Sequence, residues 1–282
     1  MRNSKQRQKI AFFLLFLATL LIVIPVGLIV VIIIQKGLPA INWQFLSDMP
    51  RKGMRAGGIF PAIVGTLYLV TGAIIFALPI GLFAAIYLSE YAKENFLTRV
   101  IKLAIVNLAG VPSVVYGLFG LALFVVFFKF GASILSGSLT LGIMILPIII
   151  TASREALESV PQSFREVSLS LGASKWQTIK NIVLPNAIPG ILTGTILGLG
   201  RAAGETAPIL FTVAAFYLPR LPASVFDQAM ALPYHLYVIS TQVPNVDEKI
   251  RYGTALVLLA MVLFMNLIAI IIRYQFRKKK KW

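Results

Sequence analysis

Long stretches without charge are the feature that most constrains how this chain can fold. Residues 10–34 form an apolar run that contains no charged side chain. About 20 consecutive apolar residues are enough for a helix to cross a bilayer. Six runs approach or exceed that length, over residues 10–34, 60–88, 100–128, 134–153, 187–216 and 252–272. Runs of this kind predict a chain that is embedded in a membrane rather than folded around a soluble core.

The predicted spans are helical. Backbone groups inside a bilayer must hydrogen-bond within the protein, so only helices and closed barrels cross it, and the runs lack the alternation of barrel strands. We therefore predict an all-α, polytopic membrane protein with six transmembrane helices in a single membrane domain over residues 1–282. The first run is about twice as long as a signal-peptide core and no small-residue cleavage site follows it, so it is interpreted as a membrane helix.

The distribution of basic residues predicts the orientation of the chain. The net charge is +16, and 17 of the 26 Lys and Arg lie in or beside segments on one side of the predicted membrane, against 8 on the other. Basic residues collect in cytoplasmic loops. Both termini and the loop 154–186 are therefore predicted to be cytoplasmic. The net positive charge is therefore attributed to the orientation of the chain in the membrane and not to binding of nucleic acid.

The sequence lacks the cysteines, the paired histidines and the phosphate-binding loop that many metal and nucleotide sites use. It contains no cysteine and a single histidine, His235, so we expect no metal, no cofactor and no role for His235 beyond that of an ordinary loop or interface residue. It also lacks the GxxxxGK[ST] motif that cradles nucleotide phosphates. We therefore expect that the chain is not an enzyme, and that any ATP hydrolysis is carried by a partner ATPase.

Two charged residues interrupt the fifth apolar run. Arg201 and Glu205 lie in its middle, and a charge at mid-bilayer costs roughly 2.5–3.5 kcal/mol on insertion scales. Such residues usually face a bundle interior or a wet cavity. They either neutralise each other as a structural pair or line a pathway for a polar substrate. We favour the pathway, because Arg before Glu is the weaker order for a pair on a helix.

Small residues and prolines shape the same run. A series recurs every four residues at Gly190, Gly194, Gly198, Ala202 and Thr206, and such a seam lets a second helix approach closely. Pro208 lacks an N–H, so it is predicted to kink the helix and leave the carbonyl of Gly204 exposed beside the two charges. The second, third and fourth runs are predicted to be interrupted in the same way by Pro79, Pro112 and Pro147.

The two charged residues favour an oxyanion that carries a proton. A guanidinium presents a planar fork that matches two oxygens of phosphate. Hydrogen phosphate carries a proton that Glu205 can accept, whereas sulfate at neutral pH has none. The predicted pathway residues are therefore Arg201, Glu205 and Gly204, with phosphate preferred over sulfate.

The loop 154–186 contains the segment EVSLSLGASKWQTIKNIVLP at residues 166–185. This segment resembles the coupling-loop motif of ABC importer permeases, in which EAA-xxx-G is followed by nine residues and I-x-LP. The matching residues are Glu166, Gly172, Ile182, Leu184 and Pro185, while Val167 and Ser168 replace two alanines. Gly172 is predicted to end a short helix by allowing a left-handed turn.

Three further segments resemble phosphate-specific ABC importer permeases of the Pst type. They are GGIFPAIVGT (57–66), GRAAGETAPILFT (200–212) and MALPYHLYVIS (230–240), and the similarity extends over residues 10–275. The resemblance implies a type I ABC importer permease fold in the inner membrane of a prokaryote. It also implies a second, similar permease, two cytoplasmic ATPase subunits and an external phosphate-binding protein as partners. The family's pathway charges map onto Arg201 and Glu205.

Two alternative functions are compatible with the same charges. One is an ABC permease for another oxyanion, such as sulfate or molybdate. The other is an ion-coupled secondary anion transporter. A secondary transporter has no use for a coupling loop, so the segment 166–185 favours the ATP-driven importer.

Overall fold

The computed structural model describes residues 2–278, and these residues are predominantly helical. The α-helices are α1 (Arg2–Gly37), α2 (Trp43–Ser47), α3 (Phe60–Ile86), α4 (Phe96–Ala109), α5 (Ser113–Gly120), α6 (Ile134–Glu158), α7 (Gln162–Ser170), α8 (Lys175–Thr178), α9 (Leu184–Gly204), α10 (Ala207–Thr212), α11 (Leu232–Thr241) and α12 (Glu248–Lys278). Two short strands, β1 (Pro50–Arg51) and β2 (Ala56–Gly57), pair antiparallel. The all-α prediction is confirmed. Residues 1 and 279–282, which contribute to the predicted charge asymmetry, lie outside the described residues.

Five described helical stretches are long and apolar enough to cross a membrane. They are Gln8–Ala40, Phe60–Tyr91, Ile134–Glu158, Lys175–Gly204 and Glu248–Phe276. Two of them continue through π-helical turns, at Tyr87–Tyr91 after α3 and at Ile179–Val183 before α9. A sixth crossing is possible only if α4 and α5, which meet at an angle of 102°, are counted together.

The third predicted span, 100–128, is interrupted at Pro112, as predicted, so it is not one continuous helix. α4 ends before Gly110, α5 begins after Pro112, and a π-helical turn (Leu121–Phe127) follows. Glycine has a low helix propensity and proline lacks the N–H of the next turn, so together they end the helix. The hydroxyl of Tyr116 then donates to the carbonyl of Leu108 across the bend, at 2.8 Å.

Two of the four predicted proline interruptions, by contrast, are wrong. Pro79 and Pro147 lie inside α3 and α6, which continue past them. A fully buried core residue lies two positions before each proline, Ala77 in α3 and Ile145 in α6. Neighbouring helices re-satisfy the backbone groups that an interior proline frees in a membrane helix.

The fifth predicted span, 187–216, has different bounds in the structure. The helical stretch begins at Lys175, where Ser174 and Gln177 form a reciprocal capping box. It ends at Gly204 and restarts as α10, so Pro208 accompanies a complete break rather than a kink. In a continuous helix the ring of Pro208 would collide with the carbonyl four residues earlier. Likewise α6 extends to Glu158, past the predicted start of the loop at residue 154.

The centre of the bundle is built by α6, which packs against both α3 and α9. On the α9 side, Gly190 and Gly194 face Ala156 and Ala152 of α6 with no room for a side chain. The predicted close approach along this seam is therefore confirmed. α1 and α12 lie at the periphery, and their apolar side chains are largely exposed, as expected for helices that face lipid.

Two of the segments that carry the family resemblance pack on each other. The backbone of Met230 lies directly against Gly65 of α3, and the N–H of Leu232 donates to the hydroxyl of Thr66 at 2.8 Å. His235 on α11 is only 3% exposed, and burial lowers its pKa to about 4. Because this value is below the usual 6.5, His235 is a neutral core residue near neutral pH.

Candidate functional site

The predicted pathway residues lie at the break between α9 and α10. α9 ends at Gly204, and the backbone of Glu205 is extended, with φ −76° and ψ 138°. α10 then begins with Pro208 in its first turn. Gly204 is exposed, and no heavy atom lies within 4 Å of the position that its β-carbon would occupy. The break therefore opens onto the surface of the chain. We call Arg201, Gly204 and Glu205 the polar break.

Arg201 and Glu205 form a loose ion pair in the polar break. The distance from Arg201 Nε to Glu205 Oε1 is 3.5 Å, and the side chains are 30% and 18% exposed. A close charge-assisted hydrogen bond is about 2.7–2.9 Å long, so this pairing does not saturate the guanidinium. The two residues are therefore paired, as the structural alternative expects, but Glu205 has left the helix and the pair does not span a regular helical turn. The break in the backbone is what sets their distance.

A second irregular segment lies close to the polar break. Gly117 of α5 packs against Pro208 and Phe211 of α10, again with no room for a side chain. Tyr116 and Ala202 belong to one buried cluster at this junction. The broken third span and the broken fifth run therefore meet. Irregular backbone at membrane depth is tolerated where it is packed in protein or lines a water-filled cavity.

The segment that matches the coupling motif begins with two short helices. Glu166 is exposed on α7, and Gly172 lies between α7 and α8 with φ +81°. The predicted left-handed turn at Gly172 is confirmed. The hydroxyls of Ser168 and Thr178 are 2.9 Å apart and join α7 to α8.

The last three motif residues lie on the continuous helix and not in a loop. Ile182 is half-buried in the π-helical turn, Leu184 is half-buried at the start of α9, and Pro185 is exposed in the first turn of α9. α9 has 21 residues, so at 1.5 Å per residue it is about 30 Å long. The coupling motif and the polar break are therefore at opposite ends of one helix.

Several large apolar side chains on this segment face outward. Val167, Leu171 and Trp176 are 61%, 83% and 48% exposed. A contiguous apolar surface beside polar residues is typical of a protein interface. We call these three residues the outer apolar surface of α7 and α8.

The structure also shows polar contacts that the sequence did not reveal. Arg165 on α7 forms a bidentate ion pair with Glu90, at the end of the second span. On α12, Arg273 donates to the hydroxyl of Thr193 on α9 at 3.2 Å. Arg273 directly follows the sixth predicted span, and Arg165 lies in the predicted cytoplasmic loop 154–186. Basic residues are common at both kinds of position, so nothing in the sequence set them apart.

Comparisons with known proteins identify the relatives of this chain. A family model described as binding-protein-dependent transport system inner membrane component matches residues 77–282. The probable ABC transporter permease protein YqgI of Bacillus subtilis is 35% identical over 266 residues, which cover 89% of this chain and 90% of that protein. The phosphate transport system permease protein PstA 1 of Mycobacterium tuberculosis (strain H37Rv) is 37% identical, over 80% of this chain and 73% of that protein.

Solved structures share the fold. A chain of a bacterial ABC transporter involved in the import of alginate superposes with a TM-score of 0.63 at 16% identity, and the match covers 100% of both chains. A chain of the inward-facing MetNI methionine ABC transporter superposes with a TM-score of 0.61 at 15% identity, over 77% of this chain and 97% of that one.

Proposed function

Because this chain belongs to the family of binding-protein-dependent transport system inner membrane components, we propose that it is the permease subunit of an ATP-driven importer of inorganic phosphate. Relatives named as phosphate transport system permeases cover most of the chain at 33–37% identity. The fold is that of type I ABC importer permeases. The observation that carries the phosphate assignment in this chain is the polar break, which presents a guanidinium and a carboxylate at the end of an apolar helix that is long enough to cross a membrane.

In this proposal the polar break is part of the translocation pathway. Arg201 attracts the oxyanion through its charge and its planar donors. Glu205 repels a fully deprotonated anion but accepts the proton of hydrogen phosphate, which favours phosphate over sulfate. Gly204 lies between Arg201 and Glu205 in the sequence and adds no side chain to the wall of the pathway. The polar break is only partly covered by this chain, which suits a pathway that the chain shares with a second, similar permease.

The coupling segment is proposed to receive the movement of the ATPase. Two cytoplasmic ATPase subunits would bind the outer apolar surface of α7 and α8, with Glu166 and Gly172 presented beside it. With the ATPase subunits bound at α7 and α8, both termini are proposed to lie on the cytoplasmic side of a prokaryotic inner membrane. α11 and its neighbours then face an external phosphate-binding protein. A secondary transporter is no longer supported, because the family consists of components of binding-protein-dependent systems.

Gly172→Asp is expected to remove the ATPase subunits from the purified complex. Gly172 has φ +81°, a conformation that non-glycine residues adopt only with strain, so an aspartate there changes the path from α7 to α8. The measurement is the amount of ATPase that copurifies with the permease from detergent.

Gly131→Asp is the matched control. Gly131 also has a positive φ, of +69°, and open space around it, but it lies between the third and fourth predicted spans. It should retain the ATPase at the wild-type ratio. Equal ATPase in all three preparations, or none with the wild type, would contradict the coupling assignment.

A further inference from the structure

One buried guanidinium fastens the coupling segment to two membrane helices. Arg165 of α7 donates through Nε to both carboxylate oxygens of Glu90, at 3.2 Å each, and through Nη2 to Oε1 at 2.6 Å. It also donates to the carbonyls of Val160 at 2.7 Å and Leu157 at 2.9 Å. Leu157 is in the last turn of α6, where carbonyls have no partner within the helix. Glu90 follows α3 directly.

The Glu90–Arg165 pair is almost fully withdrawn from solvent. The two side chains are 7% and 12% exposed, whereas the ion pair between Lys36 and Glu248 at the opposite end is 49% and 65% exposed. A buried pair of charges adds little net stability over a packed apolar pair, because both ions must be desolvated. Its best-attested use is to fix one arrangement of the elements that it joins.

A second contact holds the π-helical turn Tyr87–Tyr91, which follows α3 and contains Glu90. The ammonium of Lys175, at the start of α8, lies 4.8 Å from the centre of the Tyr91 ring. Adjacent residues at the end of the second span are therefore bound by α7 and by α8. The two short helices are in turn joined by Ser168 and Thr178.

The membrane helices that receive these contacts are closely packed with the helix that carries Arg201. Gly81 of α3 meets Ile149 of α6, and Gly194 of α9 meets Ala152 of α6, each without space for a side chain. A displacement of α7 that is transmitted to α3 and α6 would therefore also move the end of α9. Packed elements of this kind shift between discrete arrangements rather than deform continuously.

We infer that the Glu90–Arg165 pair is the joint through which ATPase-driven movement of α7 is transmitted to α3 and α6. The inference rests on the proposed function and adds two positioning residues to it. Docking of the ATPase uses the outer apolar surface, which is separate from the joint. Removing the joint should therefore leave the assembly intact while uncoupling ATP hydrolysis from phosphate transport.

The test is the amount of phosphate transported per ATP hydrolysed by the complete importer in liposomes. The main variant is the double substitution Glu90→Leu/Arg165→Met, which replaces the ion pair by apolar side chains of similar size and leaves no unpaired buried charge. We expect it to retain ATPase subunits and ATP hydrolysis while the phosphate-to-ATP ratio falls by about tenfold. An unchanged ratio overturns the inference. A wild-type complex that imports no phosphate overturns the proposed function instead.

A second measurement leaves the Glu90–Arg165 pair intact and changes only two exposed positions. The sequence contains no cysteine, so spin labels can be attached only at cysteines introduced at Ser163 on α7 and Lys93 after the second span, both exposed. If the joint is rigid, their distance stays constant between the nucleotide-free and ATP-bound states of the complete importer. A change of more than a few ångströms would show that α7 moves independently of α3, and would overturn the inference.

Discussion

Replacing Arg201 by alanine is expected to reduce phosphate uptake by the assembled importer about 10- to 100-fold, the equivalent of one or two lost hydrogen bonds to a charged group. The guanidinium is 30% exposed and only loosely paired with Glu205, so it is available to an oxyanion. The comparison is made at equal amounts of assembled complex, because the substitution also removes the ion-pair partner of Glu205. The measurement is uptake of labelled phosphate at matched membrane levels of the complex.

Arg273→Ala serves as the matched control for that substitution. Arg273 is also a partly buried arginine in contact with α9, but its partner is the hydroxyl of Thr193 and it lies outside the polar break. It should retain most of the uptake. If Arg201→Ala and Arg273→Ala behave alike, Arg201 has a structural role and not a place on the pathway.

Glu205→Gln tests the part of the proposal that concerns selectivity. The neutral amide oxygen accepts a hydrogen bond from hydrogen phosphate more weakly than a carboxylate does, and the amide no longer repels a divalent anion. Sulfate should then compete with phosphate roughly tenfold better than in the wild type, the effect of about one charged hydrogen bond. Competition curves with unlabelled sulfate measure this directly. An unchanged preference for phosphate would show that Glu205 does not discriminate between phosphate and sulfate.

Gly194→Leu is expected to destabilise the fold itself. Even a β-carbon at Gly194 would collide with the β-carbon of Ala152, which cannot rotate away. Overpacking costs about 1–3 kcal/mol and occasionally more, so the unfolding midpoint of the purified protein should fall by roughly 5–10 °C.

Gly27→Leu is the control for the overpacked variant. Gly27 is also a glycine within a membrane helix, but no atom of another element lies within 4 Å of its β-carbon position. Its unfolding midpoint and its elution in size-exclusion chromatography should match the wild type. A Gly194→Leu protein that is as stable as Gly27→Leu would mean that α6 and α9 are not in close contact.

The sequence predicted the membrane helices well because hydropathy is a local property. It predicted their breaks poorly, because Pro79 and Pro208 look equivalent when neighbours are unknown. The two prolines differ only in the folded chain, since α3 continues past Pro79 whereas α9 ends at Gly204, four residues before Pro208. The start of the helical stretch at Lys175 could have been predicted, because Ser174 and Gln177 have the spacing of a capping box.

The candidate sites also divide into residues that the sequence reveals and residues that only the fold reveals. Arg201 and Glu205 stand out because charge is rare inside an apolar run. Glu90 and Arg165 are 75 positions apart and lie in polar segments next to spans, where charged residues are unremarkable. Only the fold brings them together.

The measurement that tests the central claim most directly is uptake by the complete importer in liposomes. Labelled phosphate is supplied with the binding protein on the external side, with ATP on the cytoplasmic side or omitted, and with sulfate or molybdate as competitor. The proposed function predicts uptake that requires ATP and is displaced by phosphate but not by the other oxyanions. Uptake that proceeds without ATP, or that sulfate or molybdate displaces as well as phosphate, would contradict it.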